Sequence, residues 1–138
     1  MERTRVDQTL LQGIAAYKQG NLQEAESLFK AILEVQPKHS YASHNLGHIA
    51  VSINQPGRAL PFFKSAIEVN PKIEQFWLSY IETLITERQF ENAEQALKEG
   101  EEKGVASEKL KTLVQKLELV KALNTSKQAP SQAEMQEL

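Results

Sequence analysis

The sequence contains no cysteine, which removes disulfide frameworks, thiolate metal sites and thiol nucleophiles together. No stretch approaches the roughly 18 consecutive apolar residues that a membrane span requires. The first residues, Met1 to Gln8, lack the apolar core of a secretory signal. A basic excess is missing as well. Sixteen Lys and Arg stand against eighteen Asp and Glu, a net charge of −2. Lys109, Lys111, Lys116 and Lys121 are interleaved with Glu108 and Glu118. A chain that grips phosphate backbones or an anionic bilayer gathers its cations on one face, so neither nucleic acid nor membrane is an expected partner. There are only six glycines, and they form neither a phosphate-cradling loop nor a Gly-x-Ser-x-Gly turn. The cytoplasm is the expected location.

What the sequence has instead is a period. Ala25, Ala59 and Ala93 stand 34 residues apart, and Phe29, Phe63 and Leu97 keep the same interval. So do the pairs Gly13 and Gly47, and Pro37 and Pro71. A fixed period of this length means a stacked array of one supersecondary unit. Glycine and alanine let paired helices approach closely, the large apolar residues fill the space between hairpins, and proline stops a helix because it has no amide to donate. Turn signals at Gly20-Asn21 and Asn54-Gln55-Pro56 divide each unit in two, with a weaker one at Gln89. First helices are expected at about 7–19, 40–53 and 74–87, and second helices at about 22–36, 56–70 and 90–103. Pro56 suits the first turn of its helix, and Pro61 is expected to distort that helix slightly.

A closing helix is expected from Ser107, a candidate N-cap, to a stop near Asn124, because Leu110, Leu113, Val114, Leu117, Val120 and Leu123 keep helical spacing. The array thus covers 1–124, with repeats at about 6–39, 40–73 and 74–105 and the closing helix at about 107–124. The polar, proline-containing segment 125–138 reads as a linker, followed by the start of a further helix at Ala133, Met135 and Leu138. The expectation is that the chain forms part of a longer multi-repeat protein.

Aligned on this period, the sequence resembles the tetratricopeptide repeat family. Repeat two carries Leu46, Gly47, Ala59, Phe63, Ala66 and Pro71 at the motif positions. Repeat one keeps Gly13, Ala25, Phe29 and Pro37, with Gln12 and Ile32 as departures. Repeat three keeps Trp77, Ala93 and Leu97, with Ile81 and Val105 as departures. The resemblance spans about Val6 to Val105 and implies an all-α, right-handed superhelical stack of helix-turn-helix hairpins. It also implies a concave groove lined by the first helices, a scaffold function without catalytic residues or cofactor, and a protein or peptide ligand.

On the family's register the groove is expected to present Leu10, Ile14 and Tyr17 from repeat one, Tyr41, His44, Asn45 and His48 from repeat two, and Gln75, Leu78 and Glu82 from repeat three. Val51 and Ile85 belong to the same face. Asn45 matches the asparagine that holds a peptide backbone in many members of the family. Trp77 matches the core aromatic. Simple packing between adjacent first helices is the competing reading for Leu10, Ile14, Leu78 and Ile85. His44 and His48 share a helical face near Glu82, a geometry that two-histidine metal sites also use, but no fourth ligand is visible and no metal is expected. Members that clamp the acidic tail of a chaperone do so with cations at positions occupied here by Leu10, Ile14, Asn45, Gln75 and Ser79. Every cation is gone, so that ligand class is not expected. Self-assembly into homo-oligomers through repeat ends or the groove is the alternative function.

Overall fold

The computed structural model describes the backbone of residues 2–105 and 107–137, and the side chains of 3–105 and 107–125. Among the described residues the architecture is all α. The helices are α1 (Glu2–Lys18), α2 (Leu22–Val35), α3 (Ser40–Ser52), α4 (Pro56–Val69), α5 (Glu74–Thr86), α6 (Phe90–Glu102) and α7 (Glu108–Glu137). They stack as a two-layer solenoid. One layer contains α1, α3, α5 and α7; the other contains α2, α4 and α6, each packed on the helix before it and the helix after it. Helix α1 starts earlier than the repeat suggested, near the N-terminus.

Every first helix ends in the same way. Gly20, Asn54 and Arg88 are equivalent by the 34-residue period and have φ of 85°, 61° and 59°. The following amide reaches back five residues: Asn21 to Ala16 at 2.9 Å, Gln55 to Ala50 and Gln89 to Leu84 at 2.8 Å. This left-handed cap satisfies carbonyls that the helix end leaves unpaired. The second helices differ from one another. α2 and α4 stop just ahead of Pro37 and Pro71. α6 stops on Gly104, with φ of 87°, and the Val105 amide bonds Gly100 O at 2.9 Å. Gly104 therefore supplies the stop that the missing proline gives elsewhere, while Val105 turns into the core.

Glycine is required at two core positions. A Cβ on Gly13 would lie 2.6 Å from the Phe29 ring, and one on Gly47 would collide with Phe63 in the same manner. Both rings are fully buried. Phe29 also packs with Ala42, Leu46 and Ile49 of the next hairpin, so one ring fastens its own hairpin and the seam beyond it. Trp77 is buried as well and donates its indole N–H to Pro71 O at 2.6 Å, which ties α5 to the turn between repeats. Pro61 lies inside α4, which runs through it to Val69.

The C-terminal segment departs from the sequence reading. Ser107 caps α7 as expected, accepting from the Leu110 amide at 3.2 Å, and Leu110, Leu113 and Leu117 are buried. The helix does not stop near Asn124. It continues to Glu137 through Pro130, so the stretch read as a linker is helical. Pro130 is flanked by Lys127, Gln128 and Ala129 before it and by Gln132, Ala133 and Glu134 after it. Residues of high helix propensity on both sides offset a proline that removes one backbone bond. The apolar pattern at Ala133, Met135 and Leu138 falls outside the described side chains.

Candidate functional site

The layer of first helices is held together by side chains 35 residues apart, one more than the repeat. The Tyr17 hydroxyl meets Ser52 Oγ at 2.9 Å. Tyr41 packs edge-on against Phe76, with ring centroids 5.4 Å apart. His44 Nε2 meets Ser79 Oγ at 2.9 Å. This recurrence sets the register between α1 and α3 and again between α3 and α5, and it decides which groove residues stay open.

At the α3–α5 seam three groups form a closed triangle. His48 Nε2 lies 3.2 Å from His44 Nε2 and 3.2 Å from Ser79 Oγ. Gln75 Nε2 donates to the same hydroxyl at 3.2 Å. The triangle rests on Phe63 and Phe76, whose centroids lie 5.4 and 4.8 Å from that of His44. Burial, with a smaller contribution from His48 beside it, brings the His44 pKa down to about 4. Burial also lowers His48, partly opposed by the negative charge of Glu82. Both rings are therefore neutral at pH 7, and one must donate while the other accepts across their shared contact.

The expected groove residues separate into three groups. Tyr41 is the most open aromatic among them, 48% exposed; Gln75 and Glu82 are exposed, and Asn45 and His48 are half-buried. Leu10, Ile14 and Tyr17 are half-buried and pack on the first core cluster. Leu78 and Ile85 are buried in the core around α5 and α6, so packing has taken them out of the groove. His44 is likewise buried, 7% exposed, and packs on Phe63 and Phe76 instead of lining a surface. The His48 side chain turns to Ser79, and Glu82 turns to Lys116 Nζ of α7 at 3.3 Å. Ser79 and Phe76 are the partners that sequence reasoning missed. No sequence signal marks them, because the 35-residue offset between facing first helices arises from how the helices stack.

A serine hydroxyl 2.9 Å from an imidazole is also the geometry of a hydrolase dyad. Here the hydroxyl is buried and shared among three nitrogens. Ser79 also lies in mid-helix, where backbone amides are committed to the helix and cannot stabilise an oxyanion. The cluster satisfies its own polar groups and joins two helices. Among the described residues no group of three or more His, Asp or Glu side chains is placed to hold a metal ion. No described helix is long and apolar enough to cross a membrane.

One cleft opens beside the triangle. It measures about 270 Å3 and lies between α3, α4 and α5, with Val51, Pro56 and Phe63 as apolar walls and Glu82, Thr83 and Thr86 along one side. A second cleft of about 210 Å3 lies in the first hairpin, between α1 and α2.

The stacked hairpins, the left-handed turns and the glycine–aromatic contacts give the chain the fold of a tetratricopeptide repeat solenoid, with tandem repeats followed by an additional helix. The tetratricopeptide repeat family model matches residues 10–66. Solved structures extend the likeness in fold across most of the chain. The tetratricopeptide repeat domain of Sgt2 from Aspergillus fumigatus superposes with a TM-score of 0.75 at 18% identity, covering 91% of this chain and 83% of that one. The first such domain of human RPAP3 gives 0.76 at 13% identity, covering 88% and 95%. The type III secretion translocator chaperone SycD of Yersinia enterocolitica gives 0.71 at 18% identity, covering 92% and 88%. No curated protein matches the chain in sequence.

Proposed function

We propose that the chain is a protein-interaction scaffold that holds an extended segment or an amphipathic helix of a partner across the face formed by α1, α3 and α5. The observation that carries this reading is Tyr41. A large aromatic, 48% exposed, is anchored edge-on to Phe76 beside the half-buried amide of Asn45. A rigid aromatic next to a group that both donates and accepts is what recognition of a peptide backbone uses. A structure of similar fold, the first tetratricopeptide repeat domain of Spaghetti (RPAP3), is bound to the HSP90 peptide SRMEEVD. The corresponding tail is not the proposed ligand here, because Leu10, Ile14, Asn45, Gln75 and Ser79 supply no cation for an acidic terminus.

The test is a pull-down comparing the wild-type chain with Tyr41→Ala and Asn45→Ala, each checked for native helix content by circular dichroism. Partner recovery is expected to fall at least fivefold in Tyr41→Ala and by a smaller factor in Asn45→Ala. Unchanged recovery in both would move binding off this face. The cleft between α1 and α2 favours a second reading, self-assembly, because Val35 beside it is 55% exposed. A mass that stays monomeric by light scattering at high concentration would remove that reading.

A further inference from the structure

We propose that the cleft between α3, α4 and α5 is a specificity pocket for one lysine or arginine side chain of the bound partner segment, with Glu82 as its counter-ion. The proposal rests on the scaffold reading and adds the chemistry that selects the segment.

The pocket has the two parts that a long cationic side chain requires. Val51, Pro56 and Phe63 form an apolar passage suited to a methylene stem, and such stems bury against apolar surface while their charge stays near water. Glu82 stands on the same wall as Thr83 and Thr86. Both hydroxyls donate to backbone carbonyls, Thr83 to Ser79 O at 2.7 Å and Thr86 to Glu82 O at 3.0 Å, so each oxygen presents lone pairs to an incoming N–H. His48, which also lines the cleft, has its pKa lowered by burial and so does not repel a cation at pH 7. A second carboxylate lies close by: a Cβ on Gly57, next to Pro56, would sit 2.7 Å from Glu87 Oε1. A volume of about 270 Å3 fits one long side chain and falls below the range of pockets for whole small-molecule ligands.

The protein already shows the interaction in weaker form. Lys116 reaches Glu82 from α7 at 3.3 Å, with both side chains largely exposed. An exposed ion pair of this kind is weak and easily exchanged. A partner cation entering through the pocket would meet the same carboxylate and add the contact of its stem with the apolar lining. An acidic side chain would meet Glu82 with like charge. A purely apolar one would fill the passage and gain nothing from the carboxylate or from the lone pairs of the two hydroxyls.

The experiment titrates the 15N-labelled chain with the tripeptide Ac-Ala-Lys-Ala-NH2 and with its norleucine counterpart, which keeps the stem and lacks the charge. Saturable amide shifts are expected at His48, Val51, Thr83 and Thr86, with the lysine peptide binding at least fivefold tighter than the norleucine peptide. Glu82→Gln is expected to remove that preference while the rest of the spectrum stays native. Lys116→Met is expected to tighten the lysine peptide two- to threefold at low salt, because Glu82 is released. Equal binding of the two peptides, absence of saturable shifts, or weaker binding in Lys116→Met would each overturn the pocket. If partner recovery still depends on Tyr41 in any of these cases, the scaffold reading survives. If recovery is indifferent to Tyr41 and Asn45, that reading fails whatever the tripeptides show.

Discussion

The second and third hairpins solve one packing problem with opposite distributions of volume. In the second, Gly47 on α3 faces Phe63 on α4, with no room for a Cβ between them. In the third, the equivalent positions hold Ile81 and Leu97, both buried; the small residue has grown and the large one has shrunk. The neighbouring contact changes in the same direction. Ser43 and Ala66, both buried in the second hairpin, become Trp77 and Gly100, and a Cβ on Gly100 would meet the indole at 3.4 Å. Interiors are close-packed, and volume-conserving exchanges are the ones they tolerate. The first pair roughly keeps its total, seven side-chain heavy atoms against eight, so the motif residues are one partition of it. The second pair does not, because Ser43 and Ala66 hold three and Trp77 and Gly100 hold ten.

The largest expected effect comes from forcing one partition onto the other hairpin. Gly47→Ile alone drives a branched side chain into a fully buried ring, and overpacking of this severity costs about 3 kcal/mol. Gly47→Ile with Phe63→Leu reproduces the pair found in the third hairpin. It is expected to recover at least half of that loss in chemical denaturation. A double variant no more stable than the sum of its single changes would show that the two residues do not trade volume.

The hairpins also differ in what lies between them. The seam from α1 to α3 carries one exposed Tyr17–Ser52 bond, whereas the seam from α3 to α5 carries the neutral histidine triangle. His44 is held at about 4 against an ordinary value of 6.5. His48 is lowered by burial too, and His39 is lowered while its Nδ1 accepts the α3 cap from the Ala42 amide. In each case the unfolded chain binds the proton more readily than the folded one. The stability these groups contribute is complete above pH 6.5 and is lost as the pH falls toward 4. Acidification from pH 7 to 4.5 is expected to cost about 2 kcal/mol through His44. Thermal melts of the wild type and His44→Phe across that range are the measurement, and an equally steep fall in both would acquit the histidine.

How much of this was legible in the sequence follows the same division. The period and the hairpins are local or recur at a fixed interval, so they could be read directly; the glycines and aromatics were read at their positions, but not as facing each other within one hairpin. Ser107 was legible because a capping serine acts on the next three residues. The groove was legible as a face but not as a surface. Leu78, Ile85 and His44 have the right register, and the neighbouring helix covers them. Burial of that kind depends on how tightly two first helices approach, which no single helix encodes. The continuation of α7 through Pro130 was misread because one proline and a run of polar residues outweighed the helix formers around them.

Gly100→Ala carries the comparison to a smaller scale and reverses its sign. The added Cβ would stand at ordinary contact distance, 3.4 Å from Trp77. The helix interior gains roughly 0.5–1 kcal/mol when glycine is replaced by alanine. A rise in melting temperature is expected, whereas Gly13→Ala, 2.6 Å from Phe29, should lower it. If both variants move in the same direction, clearance does not govern these sites.

Arg88 gives the smallest and most finely balanced outcome. It takes the left-handed turn conformation, φ 59°, that Gly20 takes in the first hairpin, and a side chain with a Cβ is disfavoured there by about 1 kcal/mol. In return its Nη1 donates to Asn124 Oδ1 of α7 at 2.9 Å, an exposed bond of modest net value. Arg88→Gly relieves the backbone and frees α7 at the same time. Global stability is expected to rise by less than 1 kcal/mol, while amide exchange near the middle of α7 becomes faster. If exchange there is unchanged, Arg88 does not anchor the closing helix, and its strained turn is left without a structural return.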